Sequence, residues 1–91
     1  FRSVEDLDLR KNQLGDEGLE ALLISDKLGN LRKLDLRNNQ ITRKGMELLA
    51  RTEKLEKLES LDLRSNKIGK AWETKLKSIG KFPNLSSLKT V

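Results

Sequence analysis

The chain copies itself at a fixed interval. Val4, Leu31, Leu58 and Leu85 stand 27 residues apart without one slip, and each opens the same phrase. The first copy reads Val4-x-x-Leu7-x-Leu9-x-x-Asn12-x-Leu14, and the second Leu31-x-x-Leu34-x-Leu36-x-x-Asn39-x-Ile41. The third reads Leu58-x-x-Leu61-x-Leu63-x-x-Asn66-x-Ile68, and a fourth runs through Leu85-x-x-Leu88-x-Thr90. Such self-similarity demands one supersecondary unit, built several times and stacked, because a unit of this size cannot enclose an apolar core alone.

Two periods alternate within each copy. Leu7/Leu9, Leu34/Leu36 and Leu61/Leu63 have period two, so each pair shares one face of a strand, and Asp8, Asp35 and Asp62 between them face the other way. After each Asn the period becomes helical, through Leu19, Leu22 and Leu23, then Met46, Leu49 and Ala50, then Leu76 and Ile79. Gly15, Thr42 and Gly69 share one column just before these segments, with Asp16 after the first of them, and suit helix starts. The spacing predicts strands near 6–9, 33–36, 60–63 and 87–90, and helices near 16–27, 43–56 and 70–80. Strand, helix and strand within one period force parallel pairing, with a right-handed crossover. Asn12, Asn39 and Asn66 recur where the chain leaves the strand, placed to bond backbone groups inside the bend and in the next coil.

The phrase and its period resemble the leucine-rich repeat over the whole chain. The length of 27, Leu-Asp-Leu-Arg followed by Asn-x-Leu/Ile, and a Gly shortly after look most like the ribonuclease-inhibitor-type subclass and are similar to 27-residue bacterial arrays. The resemblance implies an α/β solenoid, a right-handed βα superhelix with a parallel sheet on its concave side and helices on its convex side. It implies one domain over 1–91, about three repeats and a partial one, that binds a protein partner and carries no catalytic residue.

Composition removes several chemistries. The chain has no cysteine and no histidine, which excludes disulfides, thiolate metal sites, cysteine nucleophiles and the Ser-His-Asp and Cys-His arrangements. Phe1, Trp72 and Phe82 are the only aromatics among 91 residues, so there is little bulk for one central core. No apolar run approaches the roughly 20 residues of a membrane span. Ile68-Gly69-Lys70-Ala71 lacks the earlier glycine and the following Ser/Thr of a phosphate loop. The acidic groups lie on an open sheet rather than in a desolvated pocket, so nothing separates their pKa values for acid/base work. No cofactor or metal is expected, and the cytoplasm is the default setting.

The ends differ. Lys75 and Lys77 stand where Leu48 and Ala50 stand one period earlier, Trp72 takes the column of Gly18 and Gly45, and Ser86, Ser87 and Thr90 make the last strand polar. Residues 70–91 therefore read as a C-terminal cap, with Trp72 packing over it in preference to anchoring a partner. At the other end Phe1 falls in the column of Leu28, Leu55 and Phe82, in mid-repeat. That predicts a piece of a longer array whose strand at 6–9 is an open edge able to self-associate.

Three functional readings follow. On the concave face Asp8, Asp35 and Asp62 form a column continued by Lys89; Arg10, Arg37 and Arg64 form a second; Asp6, Lys33, Ser60 and Ser87 form a third. Identical charges about 5 Å apart repel by only about 0.8 kcal/mol in water, and an Arg beside each Asp offsets that. The columns read as a self-neutralising ladder that keeps an exposed sheet soluble, and equally as a docking surface for a protein partner across Asp8, Arg10, Lys33, Asp35, Arg37, Asp62 and Arg64. The second reading uses charge asymmetry. Residues 1–30 carry a net −3, while 31–57 and 58–91 each carry +4. Arg43, Lys44, Arg51, Lys54, Lys57, Lys70, Lys75, Lys77 and Lys81 on the helices could attract nucleic acid or an acidic partner, although interspersed acids and missing exposed aromatics speak against it. Thirdly, the array could be the recognition part of a larger enzyme.

Overall fold

The computed structural model describes residues 4–90. Phe1, and with it the head of its column, lies outside them. Strands β1 (Asp6–Asp8), β2 (Lys33–Asp35), β3 (Ser60–Asp62) and β4 (Ser87–Lys89) alternate with helices α1 (Gly15–Ile24), α2 (Arg43–Arg51) and α3 (Ala71–Ile79). The strands form one parallel sheet in the order β1-β2-β3-β4. Leu7 sits beside Leu34, Leu34 beside Leu61, and Leu61 beside Leu88, so the 27-residue period is also the sheet register. The helices pack in the same order, α1 on α2 and α2 on α3. A helix is about 10 Å across, whereas neighbouring strands are about 4.8 Å apart. The stack therefore bends with its sheet on the inside.

One continuous apolar strip runs between sheet and helices. Leu31, Leu36, Leu58, Leu61 and Leu63 are fully buried in the second and third coils, together with Leu19, Ile41, Met46, Leu49, Leu55 and Leu76. In the first coil Leu7, Leu9 and Leu14 are only half-buried and Val4 is exposed, because among the described residues no coil lies against that side. Each fully buried leucine stabilises by roughly 1.5–3 kcal/mol. Burial thus grows from the first coil to the interior ones.

The helices are shorter than periodicity predicts. α1 stops at Ile24 rather than near 27, and α2 at Arg51 rather than near 56. In each case the next residue, Ser25 or Thr52, turns extended (ψ 136° and 143°) while its N–H still bonds back into the helix. The chain must cross from the helix side to the next strand, and Leu28 and Leu55 are buried in that crossing, not on a helix face. Ile79, expected on the apolar face of α3, is half exposed. It shares a column with Ser25 and Thr52, where coils end their helices at the surface. Thr90, expected to make the last strand polar, is buried in the column of Leu36 and Leu63.

Two polar devices lock the coils in register. Asn39 is fully buried. Its carbonyl oxygen accepts the Asn12 and Leu14 N–H groups at 3.0 and 3.3 Å, and its amide donates to Leu9 O and Arg37 O at 2.7 and 3.1 Å. Asn66 repeats this one period on, accepting from Asn39 N and Ile41 N and donating to Leu36 O. The asparagines thus reach into the preceding coil rather than the next one. The second device lies at the helix starts. Thr42 caps α2 by accepting the Lys44 N–H, while its own N–H and hydroxyl donate to Asp16 at the start of α1. A Cβ on Gly45 would lie 2.5 Å from Asp16 Oδ1 and 2.6 Å from Ile41 Cγ2, so only glycine lets α2 approach α1 this closely.

Replacing Asn39 by Ala leaves several inward-facing backbone groups without partners, each costing about 1 kcal/mol. The expected loss is about 2–4 kcal/mol in urea unfolding. Asn12→Ala, which removes one exposed bond to Arg10 O, is expected to change stability by less than about 0.5 kcal/mol. Similar losses for the two variants would refute this division of labour.

Candidate inner-face docking site

The inner face of the sheet is built by strand alternation: with leucines turned inward to the core, the residues between them point out. The register places Asp8, Asp35, Asp62 and Lys89 side by side, and Asp6, Lys33, Ser60 and Ser87 likewise. Arg10, Arg37 and Arg64 lie two residues past the last residue of their strands, on the same side as the aspartates. In each coil the Arg Nη2 donates to its Asp Oδ2 at 2.7 Å and the Nε donates to the same carboxylate. The Asp Oδ1 also accepts the arginine backbone N–H at 3.1 Å, which closes a small turn and fixes both side chains.

The pairs are linked across coils. Arg10 Nε lies 3.7 Å from Asp35 Oδ2, and Arg37 Nε lies 3.5 Å from Asp62 Oδ2. Exposure of the aspartate side chains falls along the row, from 52% at Asp8 to 24% at Asp35 and 15% at Asp62. The Arg10 hydrogen bonds hold Asp8 below the usual carboxylate range. At Asp62 burial pushes the other way, but hydrogen bonds from Arg64 and the charges of Arg64 and Arg37 outweigh it, and the carboxyl again titrates low. The guanidinium groups are correspondingly raised by their aspartates. Exposed pairs of this kind contribute little to stability. Their effect is to hold arginine forks in one orientation on an open surface.

Lys33 and Asp6 are exposed in the third column. A further charged row went unread in the sequence. Arg32 lies 3.5 Å from Glu5 and 3.3 Å from Glu59, at the entry to the strands. Its signal was present in the alternation Glu5, Arg32, Glu59 at the same 27-residue spacing.

The outer face is different. Lys54 donates to Ile24 O and pairs with Asp26, Lys57 donates to Asn30, Lys81 pairs with Glu53, and Arg43 lies near Glu47. Lys75 Nζ sits 4.4 Å from the centre of the Trp72 ring. Trp72 itself is buried, packed rather than displayed. Many of the helix-side cations are thus engaged in tying coils together or covering apolar surface. Among the described residues no cluster of acidic side chains could hold a metal ion, and no helix is long and apolar enough to cross a membrane.

Comparison with known families agrees with this architecture. A family model described as Leucine Rich repeats (2 copies) matches residues 29–71, and single-repeat models of the same kind match residues 2–23 and 57–88. The chain belongs to the leucine-rich-repeat family, whose domains generally mediate protein–protein interaction. No curated protein matches it significantly.

The lowered carboxyls make the sheet face sensitive to acid. A group whose native pKa lies below its unfolded value contributes stability above the unfolded value, and loses it as pH falls through the native one. Asp8 and Asp62 should therefore remain charged below about 3.9, the ordinary aspartate value. Carboxyl titration followed by carbon-13 NMR is expected to show both midpoints below that value, with Arg64→Gln moving Asp62 upward and leaving Asp8 in place. An Asp62 midpoint unmoved by this substitution would contradict the pairing.

Proposed function

We propose that this chain is a non-catalytic protein-interaction module of the ribonuclease-inhibitor-like kind. Its partner docks on the inner sheet face across Asp8, Arg10, Lys33, Asp35, Arg37, Asp62 and Arg64. The observation that carries this reading is the repeated two-point Asp–Arg pairing, which presents arginines in fixed orientation at regular spacing on the inside of the bend. Held forks lose little side-chain freedom on meeting a carboxylate or a backbone carbonyl, which favours binding. The 27-residue period and the α-helix that follows each of the first three strands support the subclass. Residues 70–91 serve as the C-terminal cap, with Trp72 buried and Lys75 and Lys77 exposed.

Nucleic-acid binding through the helices is the weaker alternative, since Lys54, Lys57 and Lys81 are committed to neighbouring coils. Affinity capture with the parent protein separates the two readings. Arg37→Glu with Lys33→Glu is expected to weaken partner recovery by about tenfold or more, as for arginine anchors elsewhere. Lys70→Glu, Lys75→Glu and Lys77→Glu together should leave recovery unchanged. The reverse pattern, with a steep loss of binding on adding salt, would transfer the function to the outer face.

A further inference from the structure

The Asp–Arg row is interrupted at one point. Arg10 lies between Asp8 and Asp35, and Arg37 between Asp35 and Asp62, so each meets a carboxylate in its own coil and another in the following coil. Among the described residues Arg64 meets only Asp62. The position where its second carboxylate would stand is occupied by Lys89, directly beside Asp62 in the sheet register. Lys89 is exposed and has no ion-pair partner among the described residues. Ser60 and Ser87 border it in the neighbouring column and make no side-chain hydrogen bond among the described residues. The row therefore ends in two cations and two hydroxyls, whereas its other end carries Asp6 and Asp8.

We infer that this end of the sheet receives an acidic segment of a protein partner, with one Asp or Glu carboxylate set between Arg64 and Lys89. This rests on the docking face proposed above and names the chemistry of what docks there. The charge complementarity is local. The carboxylate supplies the missing acidic member of the row, and Arg64 keeps its Nη1 edge, which bonds nothing among the described residues, available to meet it. Ser60 and Ser87 offer hydroxyls to the adjoining peptide groups. A polyanionic backbone fits less well, because Asp62 and Asp35 remain on the same face and repel a dense run of phosphates, and among the described residues no exposed aromatic ring stands ready to stack bases.

The test is an NMR titration of the isotope-labelled chain with a short acetylated, amidated oligoglutamate. The expected result is perturbation centred on the Arg64 Nε–H and the backbone amides of residues 87–89. Lys89→Asp should weaken binding about tenfold or more, a loss of about 1.4 kcal/mol or more. Lys44→Asp, the same charge change on α2, should weaken it no more than about twofold, as expected for long-range screening alone. Lys89→Asp also completes the row, so its urea midpoint should equal or exceed that of the parent, which separates lost binding from lost folding. Equal weakening by the two variants would overturn the inference as mere net charge. Perturbation confined to Asp6, Asp8 and Arg10 would overturn it while leaving the docking face in place, and perturbation of the helices alone would overturn both. Tighter binding of an oligothymidylate at the same residues would assign the site to nucleic acid instead. Concentration-dependent sedimentation without peptide, abolished by Lys89→Asp, would assign it to the acidic end of a second copy.

Discussion

A coil of 27 residues cannot cover its own leucines, and everything else in this molecule depends on that shortage. Each coil supplies an apolar edge that its neighbours in the stack remove from water. The burial pattern shows the dependence directly. Leu61 and Leu34, each between two strands, are 0% and 2% exposed, whereas at the two edges Leu88 keeps 8% and Leu7 is half exposed, each with one neighbouring strand among the described residues. Stability in such a stack comes from interfaces between coils as much as from the coils themselves. That is why the period admits no slip: one inserted residue would move a whole coil's leucines out of line with those beside them.

Stacking apolar strips leaves the backbone at each bend without regular partners, and the side chains that satisfy it nearly all point one way. Asn39 and Asn66 bond into the coil before them. So do Lys54 to Ile24 and Asn84 to Glu56, whereas the Asp16 carboxylate reaches the other way to accept the Thr42 N–H of the following coil. Each coil is thus secured chiefly by side chains of its successor. Asn12 illustrates the rule by exception: with no coil before it among the described residues, its side chain reaches only Arg10 of its own bend. The same residue type does different work according to what lies on its N-terminal side.

Architecture was largely legible in the sequence because period, register and core are one fact seen three ways. Leucines at fixed spacing specify which residues neighbour one another in the sheet, and the three charged columns follow by alternation. Helix ends were read less well. Leu28 and Leu55 are apolar and follow helical residues, yet they are buried in the crossing to the next strand, a distinction that hydrophobic spacing alone does not draw. Ile79 likewise follows Leu76 at helical spacing, yet its neighbours in the stack are Ser25 and Thr52 and it lies half exposed. The direction of the asparagine bonds was invisible as well, since a column of identical residues looks the same from both sides.

A repeat also changes what counts as a functional signal. Where three coils carry the same Asp and the same Arg, the geometry of the pairs follows from the fold, and solubility of an open sheet is reason enough for them to exist. A departure from the column carries more information, because the fold does not require it. At position 89 the stacking would accept an aspartate, and Arg64 stands ready to pair with it as Arg10 and Arg37 pair with theirs. A lysine there gives up that pairing and places a second cation beside the first. Packing gains nothing from the exchange, since the side chain is exposed. What the exchange alters is the charge offered to a visitor on the inner face.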